Sequence, residues 1–395
     1  MKILIADKLS KNAVTALEKL GAEVTFNPEL TADILPDIIS NHEILIVRST
    51  KVTAETIQSG KSLSLIIRAG AGVNTIDLEA ASKKGIYVAN CPGKNTDAVA
   101  ELALGLLIAA DRRIVNATND LRLGKWKKKK YSKANGLKNR TLGIIGLGSI
   151  GKVLAKCAKG LEMNVVAWSK SLTEKKAGEL EIGFCSSPEE VAVISDAVSI
   201  HLASKPETQH FINENFLSKM KPEAIFINTS RGEVVDSAAL KNAIIEKNLR
   251  VGIDVFENEP AGGMADFIDD KLAELVTATP HIGASTNQAA EAIADEAVRI
   301  VKTFVTTGKP VNSVNIRGKS LAKINLVMRH FNHVGVLACV LDELRNEEIN
   351  IEEMENTIFE GGKTASCIIK LDKMPSEAFI NKIATVKDIV QVMIK

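Results

Sequence analysis

The sequence has almost no excess of charge: 50 Lys and Arg stand against 48 Asp and Glu, a formal +2 over 395 residues. Such balance supplies no field that would gather nucleic acid or anionic lipid, so neither is expected as a partner, and any anionic ligand must be held by a few placed side chains. Long apolar runs are also missing. The longest, such as Leu102 to Ala110 with Gly105 at its centre, reach about half of the ~20 residues a membrane span requires. The start, MKILIADKLS, meets Asp7 after the four apolar residues Ile3 to Ala6, too few for the core of a secretion signal. Paired cysteines are absent as well. Cys91, Cys157, Cys185, Cys339 and Cys367 are odd in number, scattered and without a CxxC pair, which argues against a disulfide framework and a metal site and fits a reducing cytoplasm. With 45% hydrophobic and 25% charged residues, 26 Gly and 10 Pro, the composition excludes disordered and collagen-like chains. The length predicts two or three folded domains.

What is present is a regular alternation. From residue 1 to about 90, the apolar runs KILIA, AEVTF, EILIV, LSLIIRAG and GIYVAN are separated by amphipathic stretches, including a helical TADILPDIIS; strand alternating with helix predicts a parallel sheet covered on both faces. TDAVAELALGLLIAADRRI, ending at Ile114, is apolar nearly all round and predicts a long buried helix. After a lysine-rich loop the alternation restarts at Thr141 with TLGIIG, NVVAWS, AVSIHL, AIFINTS, VGIDVF and LVTATPHIG, and a long helix follows over Ala289 to Val305. The last stretch reads strand, helix, strand, strand, helix, strand, the order of a ferredoxin-like α+β module.

Gly146, Gly148 and Gly151 form GLGSIG between the strand TLGII and the helix SIGKVLAKCAKGLEM. In that setting the first glycine permits the turn, the second lets backbone approach a pyrophosphate, the third lets helix pack on strand, and the helix N-terminus offers free N–H groups, so a dinucleotide site is expected. An acidic residue that binds the ribose 2′-hydroxyl belongs at the end of the next strand. NVVAWSKS ends instead on Ser169, Lys170 and Ser171, and a hydroxyl beside a cation leaves both NAD and NADP open. Arg231 in SRGEVVD, Asp254 and Glu259 in DVFENEP and His281 in PHIGAST each follow a strand of this unit, and ligands of such sheets bind outside the carboxyl ends of the strands. Singly, each residue is compatible with an ordinary loop. Together, an arginine fork for a carboxylate, a histidine titrating near neutral pH and a glutamate to stabilise its cation suit oxidation of a 2-hydroxy acid.

GLGSIG, SRGEVVD, DVFENEP and PHIGAST resemble the D-isomer-specific 2-hydroxyacid dehydrogenases. The segments VRSTKVT at 47–53, RAGAGVNTIDLEAA at 68–81 and GKWKKKKY at 124–131 extend the likeness end to end toward the phosphoglycerate dehydrogenases with a C-terminal ACT domain. The resemblance implies an α/β chain of two Rossmann-like doubly wound domains: a flavodoxin-like substrate domain (1–95 and 287–315) with an inserted dinucleotide-binding domain (96–286). A ferredoxin-like α+β ACT domain (316–395) follows. It further implies that Arg231 binds the substrate carboxylate and 2-oxygen, and that Glu259 pairs with His281, which exchanges the proton. Gly146, Gly148, Ser149, Ile150 and Gly151, with Thr229, Ser230, Gly283 and Ala284, would surround the cofactor, Ser169 and Lys170 its adenine ribose and Asp254 its carboxamide. Arg48, Arg68, Ala69 and Gly70 would hold 3-phosphoglycerate, joined by Lys128, Lys129 and Lys130 of a neighbouring subunit in a homodimer or homotetramer. Otherwise a lysine run is a solvated loop. His330, Asn332 and Asn350 fall where such ACT domains take L-serine, although Val334 replaces a usual proline. Two alternatives stay open: a glyoxylate or hydroxypyruvate reductase, which shares the catalytic trio, and a regulator that senses dinucleotide without turnover.

Overall fold

Four-residue strands of Ile, Leu and Val, buried on both faces, need a covering layer above and below. In the computed structural model β1 (Lys2–Ile5), β2 (Glu23–Phe26), β3 (Ile44–Val47), β4 (Leu65–Arg68) and β5 (Tyr87–Asn90) form a parallel sheet in the order β2-β1-β3-β4-β5. Leu35, Ile57 and Ala81 cover one face. The other face meets the helix Asn287–Thr307, whose Ile293, Ala297, Ile300 and Val301 pack with Ile3, Ile5, Ile44, Ile46 and Ile67. Each such aliphatic side chain contributes about 1.5–3 kcal/mol on full burial, so a helix nearly two hundred residues further along completes the first sheet.

Between these parts lies a second parallel sheet, β6 (Thr141–Ile145), β7 (Asn164–Trp168), β8 (Gly183–Phe184), β9 (Ala197–Ile200), β10 (Ile225–Asn228), β11 (Arg250–Ile253) and β12 (Thr277–Ala278). Its order β12-β11-β10-β9-β6-β7-β8 reverses direction between β9 and β6, which opens a crevice at the carboxyl ends of those strands. The structure describes residues 1–260, 267, 269–318, 322 and 324–395 and separates into two units, Met1–Asn315 and Ile316–Lys395.

The second unit consists of β13 (Ile324–Phe331), the helix Val336–Asn346, β14 (Ile351–Ile358), β15 (Thr364–Leu371), the helix Glu377–Ala384 and β16 (Ile389–Ile394). The sheet is antiparallel in the order β14-β15-β13-β16. Its helices close over Leu326, Met328, Cys367, Ile369 and Leu371.

Local structure departs from the sequence reading at the end of the buried helix and in TADILPDIIS. The buried helix runs over Thr96–Arg112 and breaks at Arg113, whose φ of 51° starts a separate helix, Ile114–Arg122, with no buried residue. TADILPDIIS contains one α-turn, Leu35–Ile38, and a 3₁₀ turn, Ile39–Asn41; Pro36 sits in the first turn, where its missing N–H costs nothing.

Candidate active site

The dinucleotide turn is shaped by contacts that only glycine permits. Gly146 has φ +94°, and a Cβ there would lie 2.5 Å from the His201 carbonyl oxygen; one on Gly151 would lie 2.6 Å from that of Gly146. Gly148 is different: nothing lies within 4 Å of its Cβ direction, which leaves room for a ligand. Gly148 is also the N-cap of the helix Ser149–Gly160 and makes no side-chain capping bond. Elsewhere Ser10, Thr53, Asp77 and Asp236 cap their helices; here the N–H groups around Ser149 and Ile150 stay free for an anion. The buried Thr229 hydroxyl has no partner among the described residues, whereas Ser230 Oγ donates to Asn228 Oδ1 at 2.7 Å. An orphaned hydroxyl, an uncapped helix and an open Gly148 together fit a dinucleotide. Beside Ser169 a cavity of about 320 Å³ is lined also by Ser171, Lys152 and Lys176. The two lysines were not legible as site residues, since they stand on helices whose facing only the fold reveals.

At the carboxyl ends of β11 and β12, His281 Nδ1 meets Glu259 Oε1 at 2.5 Å, with the two side chains 43% and 33% exposed. The imidazole is thus oriented by a carboxylate and still reachable. His281 has φ +53°, an uncommon conformation for a side chain of this size. Asp254 holds it there. Its carbonyl accepts the His281 N–H at 2.8 Å, while its buried carboxylate accepts from Thr279 Oγ1, Ile282 N and Gly283 N at 2.6, 2.8 and 2.8 Å. Asp254, assigned on resemblance to the cofactor carboxamide, therefore has a scaffold role that the sequence did not disclose. A Cβ on Gly283 would come 2.9 Å from its Oδ2, and Ala284 follows in the same loop.

Arg231 reaches across to the first sheet: its Nη1 donates to Ser230 O at 2.6 Å, and a Cβ on Gly72 would lie 2.6 Å from Nη2. Ala69 and Gly70 belong to the same loop, and the Arg68 guanidinium covers Gly70, where a Cβ would meet it at 1.7 Å. Burial, then the charges of Arg231 and Arg48, push the Arg68 pKa down. The loop bearing Arg48 is fixed by Asp7, which accepts the N–H groups of Arg48, Ser49 and Thr50 at 2.7, 3.1 and 3.0 Å. Three arginines from three strand ends thus form one cationic patch.

Lys128, Lys129 and Lys130 lie on a one-turn helix, Lys128–Tyr131. Asp120 pairs with Lys127 at 2.9 Å and Lys130 at 3.6 Å and accepts from the Tyr131 hydroxyl at 2.6 Å, which brings its pKa down to about 2. Only Lys128 and Lys129 of the run remain without an ion-pair partner among the described residues, and no hydrogen bond or ion pair given by the structure joins the run to the three arginines.

A profile of known families matches residues 104–283 to "D-isomer specific 2-hydroxyacid dehydrogenase, NAD binding domain". A hydroxypyruvate reductase of Thermotoga maritima is 40% identical over 302 residues, which are 75% of this chain and 96% of that one. This chain belongs to the D-isomer-specific 2-hydroxyacid dehydrogenase family. A D-3-phosphoglycerate dehydrogenase of Methanocaldococcus jannaschii is 37% identical over 335 residues, 83% of this chain. The chain spans 62% of that relative's length. The solved NAD⁺-bound 3-phosphoglycerate dehydrogenase of Entamoeba histolytica superposes with a TM-score of 0.67 at 28% identity, over 80% of this chain and 99% of that one. The second sheet, which residues 104–283 span, is therefore the NAD-binding domain of this family.

In the second unit the proposed serine ligands do not meet. His330 shares the core face with Leu326 and Met328 and is 2% exposed; its Nδ1 lies 2.7 Å from Phe331 O and its Nε2 3.1 Å from Asn356 Oδ1. Asn332 Nδ2 donates to Gly362 O at 3.0 Å. Asn350 precedes Ile351, which pairs with Leu371, and Leu371 pairs with Ile324 at the far end of β13. At ~3.4 Å per residue over an eight-residue strand, Asn350 stands roughly 25 Å from Asn332.

Proposed function

We propose that this dehydrogenase oxidises 3-phospho-D-glycerate to 3-phosphohydroxypyruvate with NAD or NADP, the reaction that opens L-serine biosynthesis. The observation that carries the reading is the patch of Arg48, Arg68 and Arg231, in which Gly232, next to Arg231, packs on Phe256 in the loop that leads to Glu259. A monocarboxylic 2-hydroxy acid brings one negative charge; a 3-phosphate adds about −1.5 to −2, and the phosphorylated acid comes nearest to matching three cations, of which Arg68 is pushed down by burial first and then by the charges of Arg231 and Arg48. Arg231 would fork onto the carboxylate and 2-oxygen, and Arg48 and Arg68 would face the phosphate. His281 would take the hydroxyl proton at Nε2, leaving an imidazolium that Glu259 stabilises through Nδ1. The cofactor, when bound across Gly148 and Thr229, supplies the hydride acceptor. Initial rates with 3-phosphoglycerate, 2-hydroxyglutarate and glyoxylate, each with NAD(H) and NADP(H), test this: the phosphorylated acid should lead in kcat/KM by at least an order of magnitude. The reductase reading retains one support, the near full-length likeness to a hydroxypyruvate reductase, and a lead for glyoxylate or hydroxypyruvate would select it.

The exposed apolar residues Ile114, Val115, Leu121, Leu123 and Trp126 follow one another on the helix Ile114–Arg122 and the segment after it. A second copy of the chain covering them would form a homodimer and would present Lys128 and Lys129 to a neighbouring patch. Residues 316–395 are read as an ACT-type module that takes L-serine between two copies, since one copy separates Asn332 from Asn350. A homotetramer follows if both contacts form.

A further inference from the structure

We propose that the cavity beside β7 binds the 2′-phosphate of NADP(H), with Lys152 and Lys176 as the residues that select it over NAD(H). This deepens the dinucleotide reading and rests on it. The cavity, about 320 Å³, lies at the small end of the roughly 300–1,000 Å³ range of small-molecule sites and suits one nucleoside end of a dinucleotide. Leu147, Leu172 and Leu180 give it apolar walls on which an adenine ring can rest. Its polar corner holds Ser169, at the end of the second strand of the nucleotide unit, together with Ser171. In folds that prefer NAD this strand end carries a carboxylate, which accepts from the ribose 2′-hydroxyl and repels a phosphate. Here that barrier is missing.

The cations in its place come from two separate elements. Lys152 stands in the first turns of the helix Ser149–Gly160, and Lys176 stands on the helix Glu174–Glu179 that follows β7. Both line the cavity, and neither has an ion-pair partner among the described residues. A ribose diol needs hydroxyls and no cations. A dianion seated between two lysines that line one pocket would accept charge-assisted hydrogen bonds from both. Glu179 lines the same cavity and opposes the phosphate, so the balance of one acid against two cations is itself open to test.

The experiment uses the full chain and a binding readout that needs no turnover. Adenosine 2′,5′-bisphosphate, adenosine 3′,5′-bisphosphate and adenosine 5′-monophosphate are titrated by calorimetry at fixed salt. Adenosine 2′,5′-bisphosphate should bind roughly ten-fold or more tighter than the monophosphate, as expected for charge-assisted contacts to a phosphate. That gap should close in K152M/K176M, widen in Glu179→Gln and reverse in Ser169→Asp, with 5′-monophosphate affinity kept in the lysine variant. Equal binding of the 2′,5′-bisphosphate and the monophosphate, or a gap that survives removal of both lysines, overturns the assignment. A 3′,5′-bisphosphate that binds as tightly as the 2′,5′ compound overturns NADP as the ligand. If none of the three binds, the dinucleotide reading falls first and this one with it, whereas a 2′-phosphate preference in a chain that turns over no 2-hydroxy acid leaves this proposal standing and removes only the proposed reaction.

Discussion

His281 carries three constraints at once: a left-handed backbone, a carboxylate partner at Nδ1 and a half-exposed ring. General acid–base catalysis by a placed histidine is worth about 10²–10⁴-fold, so His281→Ala should lower kcat by that range while leaving cofactor affinity within a few fold; steady-state rates beside a cofactor titration check it. At Arg48 the expectation concerns discrimination. Arg48→Gln should reduce kcat/KM for 3-phosphoglycerate at least ten-fold more than for unphosphorylated D-glycerate, because only the phosphorylated acid loses a charge partner; equal losses would remove Arg48 from the phosphate site. At this scale much was legible. Arg231, Glu259 and His281 each follow a strand, and chain order alone sends them to one edge of the sheet. Asp254 was legible as a residue but its scaffold role was not, because the three donors it accepts come from a loop 25 to 29 positions away. Gly72 was invisible for the same reason. Its absent side chain matters only because Arg231 arrives from another sheet.

The loop that carries Glu259 is tied at its root. A Cβ on Gly232 would lie 2.0 Å from Phe256 O, His210 N donates to Glu233 O at 2.8 Å, and His210 Nε2 meets Glu257 Oε1 at 2.5 Å. These contacts join the segment of Arg231 to the segment of Glu259. The hydrogen bond to Glu257 raises the His210 pKa, with Asp236 adding a smaller push. Burial works against the Glu257 carboxylate, yet bonds from His210 and Ser237 leave its pKa lowered. Stabilisation from a raised histidine is complete below its unfolded pKa and is lost as pH rises through the folded one; from a lowered carboxylate it is present above the unfolded pKa and lost as pH falls through the folded one. The tie is therefore strongest in mildly acid to neutral solution. Amide exchange at Phe256 and Glu257, corrected for intrinsic rate, should step up as pH rises past the His210 transition, and His210→Gln should abolish the step. Persistence of the step in that variant would assign it elsewhere. Elements such as β10 and β11 were plain in the sequence because their apolar runs are bounded by turns. The break at Arg113 was not, since nothing in LLIAADRRI marks a left-handed residue and the apolar pattern continues into Ile114.

Over the whole molecule, the order of strands and helices was readable from the alternation, whereas the return of the helix Asn287–Thr307 to the first sheet was implied only by the family resemblance and is seen in its packing on Ile3, Ile44 and Ile67. The two-residue strands β8 and β12 were less readable, being set by their neighbours and not by their own pattern. The terminal unit yields its element order to the sequence, but the distance between Asn332 and Asn350 appears only with the register of β13, β14 and β15. If L-serine acts through this unit, a chain ending at Ile316 should keep its catalytic rate and lose all response to millimolar serine; inhibition that survives the truncation would place the effector site within residues 1–316. The roughly 25 Å between Asn332 and Asn350 has a further meaning. A ligand that must touch both can bind only where two modules have met, so pairing and serine binding draw on one equilibrium. Sensitivity to serine then depends on how much protein is present: a dilute sample needs more effector for half-inhibition than a concentrated one, and a plot of that midpoint against protein concentration would read out the assembly constant of the regulatory units. Feedback in such a chain would be set jointly by the level of L-serine and by the abundance of the chain itself.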